Sequence, residues 1–446
     1  MPPFVPSPVD PRLYALLAEA GFGDALFNPR QHRSCELVEH YVLQLAIDLV
    51  ARLELAPLLA EPRSVEELLA TRGFVPRFAP ALGWLLERLA LAGVAAREAG
   101  GRYRLAAPLP APDPAAVRAE GLAADASYAP AFALIDEAAA LYPRVARGET
   151  SGESALFRKL PLWVAYFSNQ NGYYALNNRV TARVAAARLA GGPVLEVGAG
   201  LGSATEALLD ALAGRGTLGA LSAYRVTEPV ALFRRRAERT LRAAWPGAPL
   251  AFAALDVNQP WAAQDVGPAS VQLVWGVNVF HLARDLEAVL AEARAALVPG
   301  GCLVIGEGLR PRRGEPVGAE FPFQLLASFT DVDLDPVTRA TPGFLTAEEW
   351  LGALARTGFT ALEVVPDAVR LRAYHAGMWT AAVCGRRPLH PPPRSETARA
   401  GSGSTPWPAP YIRPSTTCAS AWPLTAARSY QAAAAARSVS TPKPLA

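Results

Sequence analysis

The chain has 446 residues, about half of them apolar, and a formal net charge of +3. That length suits two domains around a sizeable core, and so small a net charge gives nucleic acid no electrostatic hold. The four cysteines form no CxxC pair, which argues against a zinc cluster or a disulfide framework. No apolar run reaches membrane-spanning length, so the expectation is a cytoplasmic protein with neither membrane nor nucleic-acid partners.

A proline-rich lead occupies residues 1–35. Residues 36–55 carry the apolar spacing of a mostly buried helix. Ser64, with Glu67 three residues on, is a capping-box signature, and Pro76 opens a third helix near its first turn. The stretch VAAREAGGRYRLA predicts a hairpin that turns at Gly100 and Gly101. Three helices and a hairpin make a winged-helix pattern over residues 36–106. Its third helix region offers only Arg77 and Arg88, too little for DNA recognition. A dimerisation or substrate-capping role is expected instead, which leaves a homodimer through this domain open.

Residues 107–190 pass from a proline-rich loop through alanine-rich helix to LWVAYFSNQNGYYALNNRV. There, aromatics and four asparagines crowd around Gly172. Two readings stand: a helix–turn–helix connector with asparagine caps, or a segment that covers a pocket. From 191 to 387 the pattern alternates between strand and helix. The strand candidates are PVLEVG, AYRVTE, LAFAALDV, VQLVWGV and CLVIGE, with ALEVVP and MWTAAVCG closing the region. This alternation predicts an α/β fold with a doubly wound, mostly parallel Rossmann-like sheet and ligands at the carboxyl ends of its strands. Residues 388–446 are rich in Pro, Ser, Thr and Ala, with Glu396 their one acidic residue, and are expected to be disordered.

The stretch GPVLEVGAGLGSATEALL, residues 192–209, joins the first of these strands to a helix. A P-loop would need a Gly-Lys pair, and no lysine is near. The dinucleotide fingerprint would place a small residue, usually glycine, where Ser203 stands. What remains is Glu196 followed by Gly198, Gly200 and Gly202 at alternate positions. This resembles motif I of class I S-adenosylmethionine-dependent methyltransferases, which implies that Glu196, Gly198, Gly200 and Gly202 bind the cofactor, packed so closely on the loop that a Cβ would clash. The resemblance implies further roles. Glu228, ending the second strand, would accept from both ribose hydroxyls. Asp256, ending the third, would accept from the adenine amino group, with the Val257 N–H meeting a ring nitrogen.

His281 follows the fourth strand and Glu307 ends the fifth. Those strands are neighbours in a doubly wound sheet, so the two side chains can converge. The segments NVFHLARDL and LVIGEGL look like those of polyketide synthase C-methyltransferase domains, in which such a His–Glu pair deprotonates the acceptor. Small-molecule O-methyltransferases with a winged-helix N-terminal domain are similar at the same two places. The resemblance covers residues 160–387 and, more loosely, 36–106. It implies S-adenosyl-L-methionine as cofactor and a small secondary-metabolite acceptor, with His281 as general base assisted by Glu307. The N-terminal domain favours methylation of oxygen; carbon, on a polyketide-like acyl substrate, is the alternative. Further alternatives are an NAD-dependent oxidoreductase and a non-catalytic regulator. For His281 the competing role is a cap on the following helix. Asn278 is expected to touch the cofactor or orient the acceptor. Of Trp275, Phe280, Phe321, Phe323 and Phe329, most are expected in the core and a few at the acceptor pocket.

Overall fold

The computed structural model describes residues 9–390 apart from residue 24. The expected tail at 388–446 lies almost wholly outside the described residues, as does the start of the lead. A short helix α1 (Arg12–Glu19) precedes the long α2 (Pro29–Arg52). Pro29 sits in the first turn of α2, where a missing N–H is no loss, and the Asn28 side chain accepts from the Gln31 N–H. Ser64 and Glu67 close a capping box on α3 (Val65–Arg72), and left-handed Gly73 ends it. Helix α4 (Ala79–Leu91) leads to the antiparallel strands β1 (Ala95–Glu98) and β2 (Arg102–Leu105), which turn through Gly100 and Gly101. Helices α5 (Pro114–Ala124), α6 (Ala129–Ala146), α7 (Gly152–Leu156) and α8 (Leu160–Tyr166) complete this half. Its core joins Leu37, Leu82, Leu86, Phe132 and Tyr142 to Phe321 and Phe329 from far along the chain. The N-terminal half is therefore finished by side chains it does not itself encode.

Helix α9 (Gly172–Arg188) enters the second half, which continues β3 (Gly192–Glu196), α10 (Ser203–Gly214), β4 (Leu221–Thr227), α11 (Ala231–Ala244), β5 (Leu250–Ala253) and β6 (Val271–Val277). It closes with α12 (Leu286–Ala296), β7 (Leu297–Leu309), α13 (Ala327–Thr330), α14 (Ala347–Arg356), β8 (Thr360–Val365), α15 (Ala368–Leu371) and β9 (Trp379–Arg386). One seven-stranded sheet runs in the order β5-β4-β3-β6-β7-β9-β8. The first five strands are parallel, and β9 is antiparallel to both of its neighbours. This is the doubly wound, mostly parallel sheet that the alternating pattern predicts. Leu195, Val274, Leu303 and Ile305 are wholly buried, as expected where helices cover both faces. The chain order reverses between β3 and β6, so the crevice for a ligand opens past their carboxyl ends.

The segment LVPGG, residues 297–301, opens β7. Leu297 already pairs with Val271, and the ladder shifts register before Cys302 pairs with Leu273. Pro299 and the two glycines thus form an irregularity at the start of β7. Among the described residues, no helix is long and apolar enough to cross a membrane.

Candidate active site

The loop after β3 holds Gly198, Gly200 and Gly202 at φ +65°, +56° and +87°, a region that side-chain-bearing residues rarely enter. A Cβ on Gly198 would lie 2.4 Å from Val279, and one on Gly202 would lie 2.8 Å from Leu241. At Gly200 a Cβ would meet no protein atom within 4 Å. Gly198 and Gly202 are therefore demanded by packing as well as by conformation, and Gly200 is the point where the loop faces open space.

Glu196 departs from its sequence-based role. It is 1% exposed, and its Oε2 accepts from the Tyr224 hydroxyl at 2.6 Å and the Thr205 hydroxyl at 2.7 Å. Trp275 Nε1 in turn donates to Tyr224. Burial pushes the Glu196 carboxyl up to about 7, with the two hydroxyls opposing. This carboxyl braces the loop from within the core, too buried for the cofactor contact that the resemblance implies.

Glu228 is where the pattern placed it. Its Oε2 accepts from the Gly200 N–H at 3.0 Å and its Oε1 from the Val230 N–H at 2.8 Å. Burial pushes it up to about 7, against the pull of those N–H groups and Arg234. Oε2 thus lies beside Gly200, on which a Cβ would meet no protein atom. Asp256 lies beyond β5; its Oδ1 accepts from the Asn258 N–H, and the Val257 carbonyl accepts from Trp261 Nε1. These bonds shape the turn that follows β5 and do not link it to the glycine loop.

Parallel pairing sets Val277 opposite Gly306, so the ends of β6 and β7 lie side by side. Past β6 the chain makes a single turn of 3-10 helix at Phe280–Leu282, which swings His281 over Glu307. The His281 Nδ1–H donates to Glu307 Oε2 at 2.7 Å, and its main-chain N–H faces Oε1 at 3.4 Å. Both residues are buried, Glu307 completely. With Nδ1 held by the carboxylate, Nε2 carries the imidazole lone pair. The competing role is ruled out, because Asp285 caps α12 by accepting from the Ala288 N–H.

Phe344 and Phe329 stand edge-on to the imidazole at 4.9 and 5.5 Å, and Phe323 stacks on Phe329. Trp275, Phe280 and Phe321 are core residues; Phe321 stacks on Tyr142. Nothing in the sequence singled out Phe344. It is held by a buried network in which Glu320 accepts from the Phe344 N–H, from Trp84 Nε1 and from the Arg310 guanidinium. Trp84 comes from α4, so this network ties the N-terminal half to the wall of the site.

The asparagine-rich segment supplies the helix cap that its connector reading expects. Asn171 caps α9 by accepting from the Tyr173 N–H. Farther along α9, Asn178 Nδ2 donates to Ser203 Oγ at the start of α10, and Asn177 Nδ2 donates to Asn278 Oδ1 at 2.7 Å. Burial pushes the Tyr174 hydroxyl up, with Asn278 and Ser203 opposing. Asn278 itself is left-handed at φ +54°, a conformation asparagine tolerates, and its N–H donates to the Gly306 carbonyl. Asn278 therefore stands between the glycine loop and the His–Glu pair. Asn178 Oδ1 is buried with no hydrogen-bond partner among the described residues. An unmet acceptor beside the loop, together with the open face of Gly200, fits a cofactor that brings an ammonium group and approaches closely. S-adenosylmethionine has both properties.

Residues 195–303 match the model of a methyltransferase domain. The chain is 31% identical over 180 residues to the highly reducing polyketide synthase otaA of Aspergillus niger, a match covering 39% of this chain and 7% of that one. The chain thus spans a small fraction of that relative's length. Among solved structures, the CurJ carbon methyltransferase is similar with a TM-score of 0.70 at 20% identity, covering 85% of this chain and 96% of that one. The DszA carbon methyltransferase follows with a TM-score of 0.64 at 22% identity, covering 84% and 94%. At such identities the likeness establishes the fold.

Proposed function

We propose that this chain, an S-adenosylmethionine-dependent methyltransferase, methylates the carbon between the two carbonyls of a polyketide-like β-ketoacyl acceptor. His281 serves as general base and Glu307 as the carboxylate that orients it. The observation that carries the proposal is the buried 2.7 Å contact between His281 Nδ1 and Glu307, beside a wall of phenylalanines.

When bound, S-adenosylmethionine supplies an already activated methyl group. Two tasks remain for the protein: to align the acceptor, which removes an entropic barrier, and to remove its proton. His281 Nε2 takes the proton from the acceptor carbon, leaving an enolate whose carbon holds the electron pair for the new C–C bond. A base so placed contributes about 10²–10⁴-fold. Glu307 fixes the imidazole tautomer and stabilises the imidazolium as it forms. Gly200 and Glu228 would hold the ribose end of the cofactor. Asp256 and the Val257 N–H would receive the adenine. Asn178, with Tyr174 and Asn278, would hold the amino-acid end.

Carbon is preferred here to the oxygen that the N-terminal helices and hairpin favoured in the sequence. The relatives named polyketide synthase and carbon methyltransferase support that choice. The helices and hairpin keep oxygen as a second reading, because a hydroxyl could use the same base. The test pairs calorimetry with S-adenosylmethionine and with NADH against turnover on two probes, acetoacetyl N-acetylcysteamine thioester and catechol. Binding of S-adenosylmethionine alone, with a one-methyl mass gain on the thioester, is expected. No S-adenosylmethionine binding, or full turnover by His281→Ala, overturns the proposal; methylation of catechol alone moves it to oxygen.

A further inference from the structure

We propose that Arg339 is a positioning residue for the His281–Glu307 pair, pinning the turn that carries His281 and supplying the counter-charge to the buried carboxylate. The inference rests on His281 being the base. Arg339 is 3% exposed. Its Nη1 donates to the Ala283 carbonyl at 2.6 Å and its Nη2 donates to the His281 carbonyl. These carbonyls belong to the end of the 3-10 turn, where main-chain acceptors otherwise lack partners. One planar guanidinium thus fastens both sides of the catalytic turn.

The loop that delivers Arg339 is itself closed. Asp335 and Arg339 exchange two main-chain hydrogen bonds of 2.9 Å, and the Asp335 carboxylate accepts from the N–H groups of Val337 and Thr338. Among the described residues, Arg339 has no carboxylate within ion-pair distance, and its Nε is buried without a partner. A buried cation is costly unless an opposite charge compensates it. Burial pulls the guanidinium down to about 10, and Glu307 is the largest opposing influence, so the group stays charged at neutral pH. Asp333 and Glu349 add to that influence and Arg310 opposes it, although Arg310 is already paired with Glu320 at 2.6 Å. The other groups around the pair are Tyr174 on α9, which feels the Glu307 charge, and the exposed Arg284–Asp331 pair outside it.

With a neutral imidazole, the Glu307 carboxylate and the Arg339 guanidinium sum to zero charge. That is the state in which His281 can accept a proton. Removal of the guanidinium charge leaves a net negative cluster that recruits a proton from solvent and blocks the base at the acidic end of the working range.

The experiment uses the full chain with S-adenosylmethionine and acetoacetyl N-acetylcysteamine thioester. It compares kcat/KM against pH in wild type, Arg339→Met and Arg339→Lys, and follows S-adenosylhomocysteine binding by calorimetry. For Arg339→Met, the acidic limb is expected to move up by about one pH unit, with kcat lowered at least about tenfold and cofactor affinity unchanged. Arg339→Lys keeps the charge but not the double carbonyl contact, so its limb stays in place while kcat falls partly. The proposal is overturned if the Arg339→Met profile superimposes on wild type, or if both variants lose rate equally with the limb unmoved, which is the signature of a loop anchor only. It is also overturned if the limb moves in Arg339→Lys, a readout that stands even where Arg339→Met does not fold. Full activity in His281→Ala strikes the base assignment itself, whereas an inactive His281→Ala beside a wild-type-like Arg339→Met strikes only this inference.

Discussion

Glu307→Gln is the most informative single change at the proposed base. Glutamine keeps the shape and an oxygen that can accept from His281 Nδ1–H, but it deletes the charge. The 2.7 Å contact places the centres of carboxylate and imidazolium about 4 Å apart. At the effective dielectric of about 20 that suits such pairs, their attraction is about 4 kcal/mol. This attraction exists only once His281 has taken the proton, so its loss falls on the transition state and is worth up to about a thousandfold in rate. On that scale kcat is expected to fall by about 10²–10³. The assay is initial-rate mass spectrometry of the methylated thioester at saturating S-adenosylmethionine, with calorimetry to confirm unchanged cofactor binding. A kcat within about threefold of wild type would refute the reasoning, as would a loss traced wholly to cofactor affinity.

Three further outcomes test the surrounding structure. Glu196 is held at about 7 by burial, so the folded chain keeps a proton that the unfolded chain releases near pH 4.5, and stability declines as pH rises between the two. Glu196→Gln preserves an acceptor for Tyr224 and Thr205 and should gain on wild type by at most about 3 kcal/mol between about pH 5 and 8; thermal melts with a pH-independent offset would contradict this. His375 packs edge-on to His32 at 4.9 Å, and burial, then His32, holds it down at about 4. The unfolded chain therefore takes up a proton first as pH falls from about 6.5 to about 4, and stability drops across that window. His375→Phe should lower the acid-unfolding midpoint, and an unmoved midpoint would count against the reasoning. Gly200→Ala should fold with a penalty of about 1–2 kcal/mol for its left-handed backbone, yet bind S-adenosylhomocysteine at least about tenfold more weakly. Unchanged affinity would mean the cofactor does not approach there.

What the sequence made legible follows a physical pattern. The sheet could be read because its strands are short apolar runs between helical periods, and parallel strands must be covered on both faces. His281 and Glu307 could be paired because adjacent parallel strands bring their ends together, a relation that needs no knowledge of side-chain packing. Glu228 was legible for the same reason. Glu196 was not, because its position at the end of β3 is the same whether the carboxyl faces the cleft or turns inward, and only Tyr224 and Thr205 decide. The partners of Glu320 lie far from it in the chain: Trp84 on α4 and Phe344 beyond α13. Arg339 binds the carbonyls of His281 and Ala283, 58 and 56 residues away in the chain. Such contacts leave no local periodicity to read. The core of the N-terminal half was equally hidden, since Phe321 and Phe329 complete it from the other side of the sheet sequence.

The most direct test of the central claim follows the methyl carbon itself. Full-length protein, S-adenosylmethionine labelled with ¹³C in its methyl group, and acetoacetyl N-acetylcysteamine thioester are combined, and the product is examined by carbon NMR. The predicted result is label bonded to the carbon between the two carbonyls, present with wild type and lost with His281→Ala. Label in a methoxy group, or undiminished carbon labelling by His281→Ala, would contradict it.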